Sequence, residues 1–370
     1  MAEEGGQTHG FDVSVAQAYA RDRGLKLEVV PFRWPDLEKR LLEGQFDVAM
    51  SGVTVRGDRL ARAPMTSSVA RAEAIVLVRA GRDGGDLDRE GKVVAVNRGG
   101  HLEKLARARF RNATVRAVDD NRSLPELLAG NRVHAVVTDS LEARTFTEVA
   151  TEVDEVLARD RKAYWVSPER PELALDLNQW IGARGADRWL EVERNVWLDD
   201  PQRSALPIDE ATLVDHLAQR LLLMPLVAEV KRARQLPVEV PDREAEIAES
   251  ARRAARSAGL NPEAYLTLVR AEIEAAKAVQ RAVLAETPPA AVPVADLPDL
   301  AGDIRPAIDR IDVAIRTALV WAAPVESSVD EIVAALEVDA PVPGLDEELL
   351  RAIARAARAV PPVPRAPGRS

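Results

Sequence analysis

The stretch "RLLLMPLVAEVKRARQLPVEVPDRE", from Arg220 to Glu244, sets Arg220, Lys231 and Arg243 among aliphatic residues. Eleven residues at 100° each leave Arg220 and Lys231 about 20° apart around a helix axis and roughly 16 Å apart along it, so both can point into one pocket. Pro237 and Pro241 break the chain before Arg243, which falls in the first turn of the next helix. Further on, "EIEAAKAVQ" puts Ala276 and Gln280 on one helix face at i, i+4. Two arginines, a lysine and a neutral amide can thus converge between the helices of a bundle, where ligand sites are built. Taken one at a time, each cation is also explained by a long stem running past apolar neighbours to water.

Composition narrows the chemistry. The chain has 370 residues, 46% of them hydrophobic, enough for two packed domains. A net charge of −10 and the lack of a long basic run argue against a nucleic-acid partner, so any anionic ligand must be met by local cations. With no cysteine there is no disulfide, thiolate metal site or cysteine nucleophile. The four histidines, His9, His101, His134 and His216, are not paired at ligand spacing, so neither metal nor cofactor is expected. No apolar run approaches the ~20 residues of a membrane span, and "MAEEGGQTHG" lacks the basic start and apolar core of a signal peptide.

The elements that position these residues fall into two styles. From Gly10 to about Trp197 helical and strand patterns alternate: "FDVSVAQAYARDRG" reads as helix, "LKLEVVPF" as strand, "WPDLEKRLLEGQ" as helix and "FDVAMSG" as strand. A second block repeats the style through "KVVAVNRGG", "HLEKLARARFR", "ATVRAVD", "RSLPELLAGN" and "RVHAVVTD". This predicts two α/β lobes with a largely parallel sheet, joined near "AIVLVRA". In "VNRGGHLEK", Gly99 and Gly100 lie between strand and helix, either as a backbone-donor site for an anion or as a plain tight turn. After "LDDPQRSALP" strand patterns vanish and long amphipathic helices follow, among them one opened by Asn261 as cap and Pro262 at its first position. The expected division is 1–203 α/β, 204–360 all-helical and 361–370 a disordered proline-rich tail.

The phrases "LMPLVAEVK", "QLPVE" and "DRE" in the helical part resemble the all-helical chorismate mutases, in particular their exported gamma subclass. The resemblance implies that Arg220 and Arg243 bind substrate carboxylate or hydroxyl groups, and that Lys231 and Gln280 meet the ether oxygen from opposite sides. Those residue types suit the reaction. Chorismate to prephenate is a unimolecular rearrangement that needs a dianion held in a chair-like conformer and donors for the charge growing on the ether oxygen. The sequence departs from the family at Val240, where relatives have an acid, and at Ala276, where they have Ser or Thr. The subclass's later arginine aligns with Ala314, which leaves Arg310, one turn earlier, as its expected replacement and Arg316 as a poorer one.

The α/β part resembles the two-lobed periplasmic solute-binding proteins of type II. By that resemblance Ser51, Thr54 and Arg59 hold a ligand carboxylate. "FRWPDL", "VAMSGVTV", "VNRGG" and "VVTDSLEAR" are similar to cyclohexadienyl dehydratase, a catalytic offshoot of that fold. This implies Glu142 as the general acid that protonates the leaving hydroxyl, with Trp34 walling the pocket, whereas transport proteins often have an amine-binding aspartate in this region. On composition alone Glu142 is a surface residue at a strand-to-helix turn. Ala72 stands where the dehydratase has a lysine, with Arg71 beside it, and His101 and Leu102 replace a threonine and an asparagine. The family also begins with a strand before "GFDV", and here only "MAEEGGQTH" precedes it, so that first strand is expected to be missing.

The resulting expectation is a fusion of consecutive enzymes: chorismate to prephenate, then prephenate or arogenate to phenylpyruvate or phenylalanine. The alternatives are a mutase joined to an inactive dehydratase, and an amino-acid-binding sensor with a helical partner domain. The implied partners are these small molecules and a second copy of the chain, with no nucleic acid and no membrane. The resemblance implies export of the full-length protein.

Overall fold

The computed structural model describes residues 2–4, 7–32, 36–81, 85–198, 206–286 and 297–361. Trp34, the 203/204 boundary and all of the expected tail except Pro361 lie outside them. The elements in order are β1 (Ala2–Glu4), β2 (Gln7–His9), α1 (Phe11–Asp22), α2 (Leu37–Leu42), β3 (Val48–Thr54), α3 (Gly57–Arg62), β4 (Ala70–Arg79) and β5 (Val93–Asn97). Then come α4 (His101–Arg109), β6 (Thr114–Val118), α5 (Leu124–Ala129), β7 (Ala135–Asp139), β8 (Thr151–Val166), α6 (Pro171–Ala186) and α7 (Trp189–Trp197). Helices alone follow: α8 (Ile208–Leu222), α9 (Met224–Arg234), α10 (Pro241–Ser257), α11 (Pro262–Ala285), α12 (Arg305–Ala322), α13 (Val329–Asp339) and α14 (Glu347–Arg358).

Two compact units result, and neither is one continuous stretch. The first comprises Met1–Thr54, Val69–Tyr164 and Val192–Arg203; the second comprises Val55–Ser68, Trp165–Glu191 and Ser204–Ser370. In the first unit β1 and β2 form a small antiparallel pair, and a mixed sheet runs in the order β3-β8-β4-β7-β5-β6. β5 pairs in parallel with β6 and β7, whereas β4 is antiparallel to β7 and β8. The sheet is therefore less parallel than its sequence pattern predicts, because the long strands β4 and β8 carry the ladder through what reads as a junction between lobes. Alternation along β4 sends Ile75 and Leu77 to one face with Leu124, Leu128 and Val136, and Val76 and Val78 to the other with Val94, Ala106 and Val137. The predicted strand "LKLEVVPF" is irregular over residues 25–32. Its alternating Leu25, Leu27 and Val29 stay 56%, 37% and 50% exposed, since a strand needs a ladder partner and no described strand pairs with it.

In the second unit α3 and α6 pack with the C-terminal helices, α3 beside α12 and α6 beside α8. Gly57 at the start of α3 lies so close to α8 that a Cβ there would sit 2.4 Å from the Leu222 carbonyl oxygen. Asp215 of α8 accepts from the Ser68 hydroxyl at 2.5 Å, and Gln219 donates to the Thr66 carbonyl at 2.8 Å. The longest helix, α11, starts as its sequence implies: Asn261 Oδ1 accepts from the amides of Glu263 and Ala264 at 3.0 Å, and Pro262 opens the first turn.

The core of this helical unit contains charge. Arg220 Nε lies 2.9 Å from Asp312 Oδ1 on α12 and 3.6 Å from Glu272 Oε1 on α11. One guanidinium cannot neutralise both the buried Glu272 and the half-buried Asp312, and neither Glu272 oxygen has a hydrogen-bond partner among the described residues. Burial, with the Asp312 charge adding to it against Arg220, pushes the Glu272 carboxyl up to about 7 from 4.5. The folded state thus holds this proton more tightly than the unfolded chain, and the associated stability is full below the ordinary glutamate range and lost as pH rises through about 7. Accordingly, Glu272→Gln matches the wild type in thermal unfolding near pH 4 and is more stable near pH 8, by about 3 kcal/mol. Equal stability at both pH values contradicts this assignment.

Candidate functional site

In the first unit, polar side chains gather where β3 and β7 end beside β8. Lys162 of β8, its side chain 5% exposed, donates from Nζ to Thr54 Oγ1 at 3.0 Å and stands 3.2 Å from Asp139 Oδ2 and 3.7 Å from Asp160 Oδ2. The other oxygen of Asp160 lies 3.2 Å from His101 Nε2, at the first residue of α4. Burial pushes the Asp160 carboxyl up, but the hydrogen bond to His101 and the charge of Lys162 outweigh it and leave the group below its ordinary range.

Glu142 opens a short 3-10 turn directly after β7. Asp139 fixes that turn, its Oδ1 accepting from the amides of Leu141 at 3.0 Å and Glu142 at 2.8 Å. The half-buried Glu142 carboxyl accepts from Thr138 Oγ1 at 2.6 Å and from Asn121 Nδ2. Burial raises its affinity for a proton, the hydrogen bonds and Lys162 oppose that, Asp139 adds to it, and the net position is above the usual glutamate range. Such a carboxyl can give up a proton in a setting where a surface glutamate would already have lost it.

Of the other expected ligand residues, Ser51 is half-buried on β3 in the same unit as Thr54. Gly99 adopts φ +76°, and its amide donates to Glu103 Oε2 at 2.7 Å, while Gly100 is the residue before α4. Arg59 belongs to the second unit, where it is buried with its guanidinium 5.6 Å from the centre of the Trp165 ring. Lys162 was not singled out from sequence. The antiparallel register places it opposite Ala70 and Asp160 opposite Ala72, so the cation missing at 72 has a counterpart on the adjacent strand. The signal was the alternation of Asp160, Lys162 and Tyr164 on one face of "RDRKAYWV".

In the second unit α9 packs along α11, and the turn before α12 packs on α9. Lys231 donates from Nζ to the Val238 carbonyl at 3.0 Å. Burial lowers its pKa, the positive charge of Arg305 lowers it further, and Glu244 opposes them. Gln280 is buried with its Nε2 3.8 Å from the Met224 sulfur, and its Oε1 has no partner among the described residues. Arg243 pairs with Glu246 at 2.8 Å at the surface of α10. Arg220 is held by Asp312 and Glu272, with Nη1 unpartnered. Arg310 directs Nη2 at the Leu60 carbonyl, 3.4 Å away, and Arg316 donates to the Tyr265 hydroxyl at 3.2 Å. The arginine whose charge acts on Lys231 is thus Arg305, at the first position of α12, which sequence spacing passed over. No cluster of three or more histidine, aspartate or glutamate side chains suited to a metal ion occurs among the described residues.

Residues 1–200 match the bacterial extracellular solute-binding proteins, family 3, and residues 208–281 match chorismate mutase type II. Cyclohexadienyl dehydratase of Pseudomonas aeruginosa is 28% identical over 207 residues, covering 53% of this chain and 76% of that protein. The L-cystine-binding protein TcyJ of Escherichia coli K12 is 24% identical over 200 residues, covering 52% and 75%. Among solved structures, an ancestral amino acid-binding protein described as a precursor of cyclohexadienyl dehydratase is 26% identical with a TM-score of 0.51, covering 54% of this chain and 89% of that one. An ancestral arginine-binding protein bound to glutamine shares the fold at 23% identity and a TM-score of 0.50, covering 54% and 92%. The mutase match and the dehydratase relative support an enzyme with isomerase and lyase chemistry. Over more than half its length the chain belongs to family 3 of the bacterial extracellular solute-binding proteins, and in sequence a chorismate mutase type II segment follows.

Proposed function

We propose that the chain is a bifunctional enzyme of phenylalanine biosynthesis. The helical segment rearranges chorismate to prephenate, and the solute-binding fold converts prephenate or arogenate to phenylpyruvate or phenylalanine. The observation that carries this reading is the Glu142 carboxyl, half-buried, hydrogen-bonded and shifted toward its protonated form in the turn after β7. An amino-acid transporter has no use for a proton donor there. The family's description as extracellular supports export, and no helix among the described residues is long and apolar enough to cross a membrane.

In the first reaction the bond between the ring carbon and the ether oxygen of chorismate breaks as the enol methylene carbon forms a C–C bond to the ring and the enol carbon becomes a ketone, and no proton changes hands. Lys231 and the Gln280 amide serve as donors to the ether oxygen, and Arg305 supplies a carboxylate contact, with Arg220 and Arg243 as further cations of the site. In the second reaction the electron pair of the breaking C–CO2 bond moves into the ring, and hydroxide departs as water with the proton of Glu142. The products are an aromatic ring, carbon dioxide and water, and the Glu142 carboxylate recovers its proton from solvent.

Two outcomes test the pair of assignments. Glu142→Gln lowers prephenate turnover by roughly two orders of magnitude or more while leaving chorismate consumption intact. In the wild type, that turnover falls as pH rises through the raised pKa of Glu142, above the ordinary 4.5. On the mutase side, Lys231→Met abolishes most chorismate loss, followed as disappearance of the enol ether absorbance. Its alkaline limb in the wild type lies below 10.5, and Arg305→Ala moves that limb upward while raising KM, because the neighbouring like charge is gone. Chorismate loss that is indifferent to Lys231→Met excludes the mutase assignment.

A further inference from the structure

Prephenate carries two carboxylates, one directly on a ring carbon and one at the end of a pyruvyl arm on that same carbon, and its hydroxyl lies at the opposite end of the ring. The residues expected to meet a ligand carboxylate, Ser51 and Thr54 with Arg59, answer for one of the two. The turn at Gly99 and Gly100 suggests itself for another anion, but the Gly99 amide is engaged by Glu103 Oε2 at 2.7 Å. The cations around it are engaged as well: Arg98 by Asp119 at 2.5 Å, Arg107 by Glu103 at 2.7 Å, and Lys162 by Thr54, Asp139 and Asp160. The Gly99 amide is therefore not the receptor.

His101 differs from these groups. Its Nε2 lies 3.2 Å from Asp160 Oδ1, its Nδ1 has no partner among the described residues, and its side chain is 22% exposed. Burial works against ionisation of Asp160, but His101 and Lys162 outweigh it and hold the carboxyl below its ordinary range, so it stays an acceptor. That fixes a hydrogen on Nε2, and a carboxylate arriving at Nδ1 requires the second proton on the ring. The imidazolium then lies between two carboxylates, with a charge-assisted hydrogen bond to each. The place fits the ligand. Asp160 Oδ2 is 3.5 Å from Thr54 Oγ1, so a single side chain separates His101 from the first expected contact. Through Asp160, Lys162 and Asp139 the contacts lead on to the Glu142 turn, which puts His101 and Glu142 at the two ends of one polar chain, as the carboxylates and the hydroxyl stand at two ends of the ring.

We propose that His101, charged and braced by Asp160, is the receptor for the substrate's second carboxylate. The proposal rests on the dehydratase reading above and names how that site takes a dianion. His101 touches the ligand, whereas Asp160 acts through it and is a positioning residue.

The test is equilibrium binding to the full chain carrying Glu142→Gln, with prephenate as the dianion and phenylpyruvate, which lacks the ring carboxylate, as the monoanion. Adding His101→Gln weakens prephenate binding by at least about tenfold and phenylpyruvate binding by less than about threefold, because the monoanion asks for one receptor only. His101→Lys, which restores a cation, keeps prephenate binding within about threefold of the parent. A like loss for both ligands, or prephenate binding indifferent to His101→Gln, overturns the proposal, and so does a His101→Lys variant as weak as His101→Gln. Prephenate turnover by the protein with native Glu142 separates the two layers. If prephenate is aromatised with the same KM in the wild type and in His101→Gln, the dehydratase reading stands and the His101 assignment falls. If prephenate is never aromatised and the preference for the dianion still depends on His101, the reverse holds.

Discussion

The Lys162 ammonium joins three strands of the first unit through Thr54 on β3, Asp139 on β7 and Asp160 on its own strand, β8. A buried cation of this kind must be matched locally, because its hydration is lost and the interior returns little of it. Two aspartates answer one lysine, and Glu142 sits next to them as a third carboxyl. The surplus of acid over base is resolved at the group least supplied with cations, and that group is Glu142. Its tendency to keep a proton follows first from burial, to which the Asp139 charge adds. The helical unit repeats the arithmetic with Arg220 against Asp312 and Glu272, where Glu272 is the group that retains a proton.

The same reasoning separates the cations of the helical unit by role. Arg220 is already engaged by Asp312 and Glu272 within the core, so much of its field is spent on the protein itself. Lys231 stands in the opposite relation, its charge disfavoured by burial and by the nearby Arg305, with Glu244 as partial compensation. Two cations held near one another without full neutralisation are a receptor for an anion, because an arriving carboxylate removes a repulsion as well as making a contact. Gln280 in the same unit is a buried amide whose oxygen has no partner among the described residues, with its Nε2 near the Met224 sulfur.

Much of this was legible in the sequence, and the failures have physical causes. Helix starts with local chemistry, such as Asn261 followed by Pro262, read directly, and so did the change of style after Pro207, whereas β4 read as a junction between lobes although its alternation packs both faces of the sheet. "LKLEVVPF" shows where local pattern is insufficient: alternation describes a strand's faces but cannot provide the neighbour that satisfies its backbone. Lys162 was missed because its partners are 23 and 108 residues away in sequence, at Asp139 and Thr54, and only the sheet register brings them together. Arg305 was passed over in favour of Arg310. Five residues separate them, about 140° around a helix, so only one can face α9, and Arg310 turns instead to the Leu60 carbonyl. Trp34, expected to wall a pocket, falls outside the described residues.

In the proposed pair of reactions, the two units use buried charge in opposite ways, and the difference follows from the chemistry. A rearrangement without proton transfer gains only from donors aimed at the ligand, so its cations must remain incompletely neutralised by protein. A decarboxylative elimination needs a neutral acid at the leaving oxygen, and a cation aimed at that acid would strip its proton. Lys162 avoids this by turning its charge mainly onto Asp139 and Asp160, which hold the ammonium away from dominating Glu142 while the Asp139 charge opposes ionisation of the acid. In a chain with a net charge of −10, anionic substrates must be met by such local placement, because the surrounding field works against them.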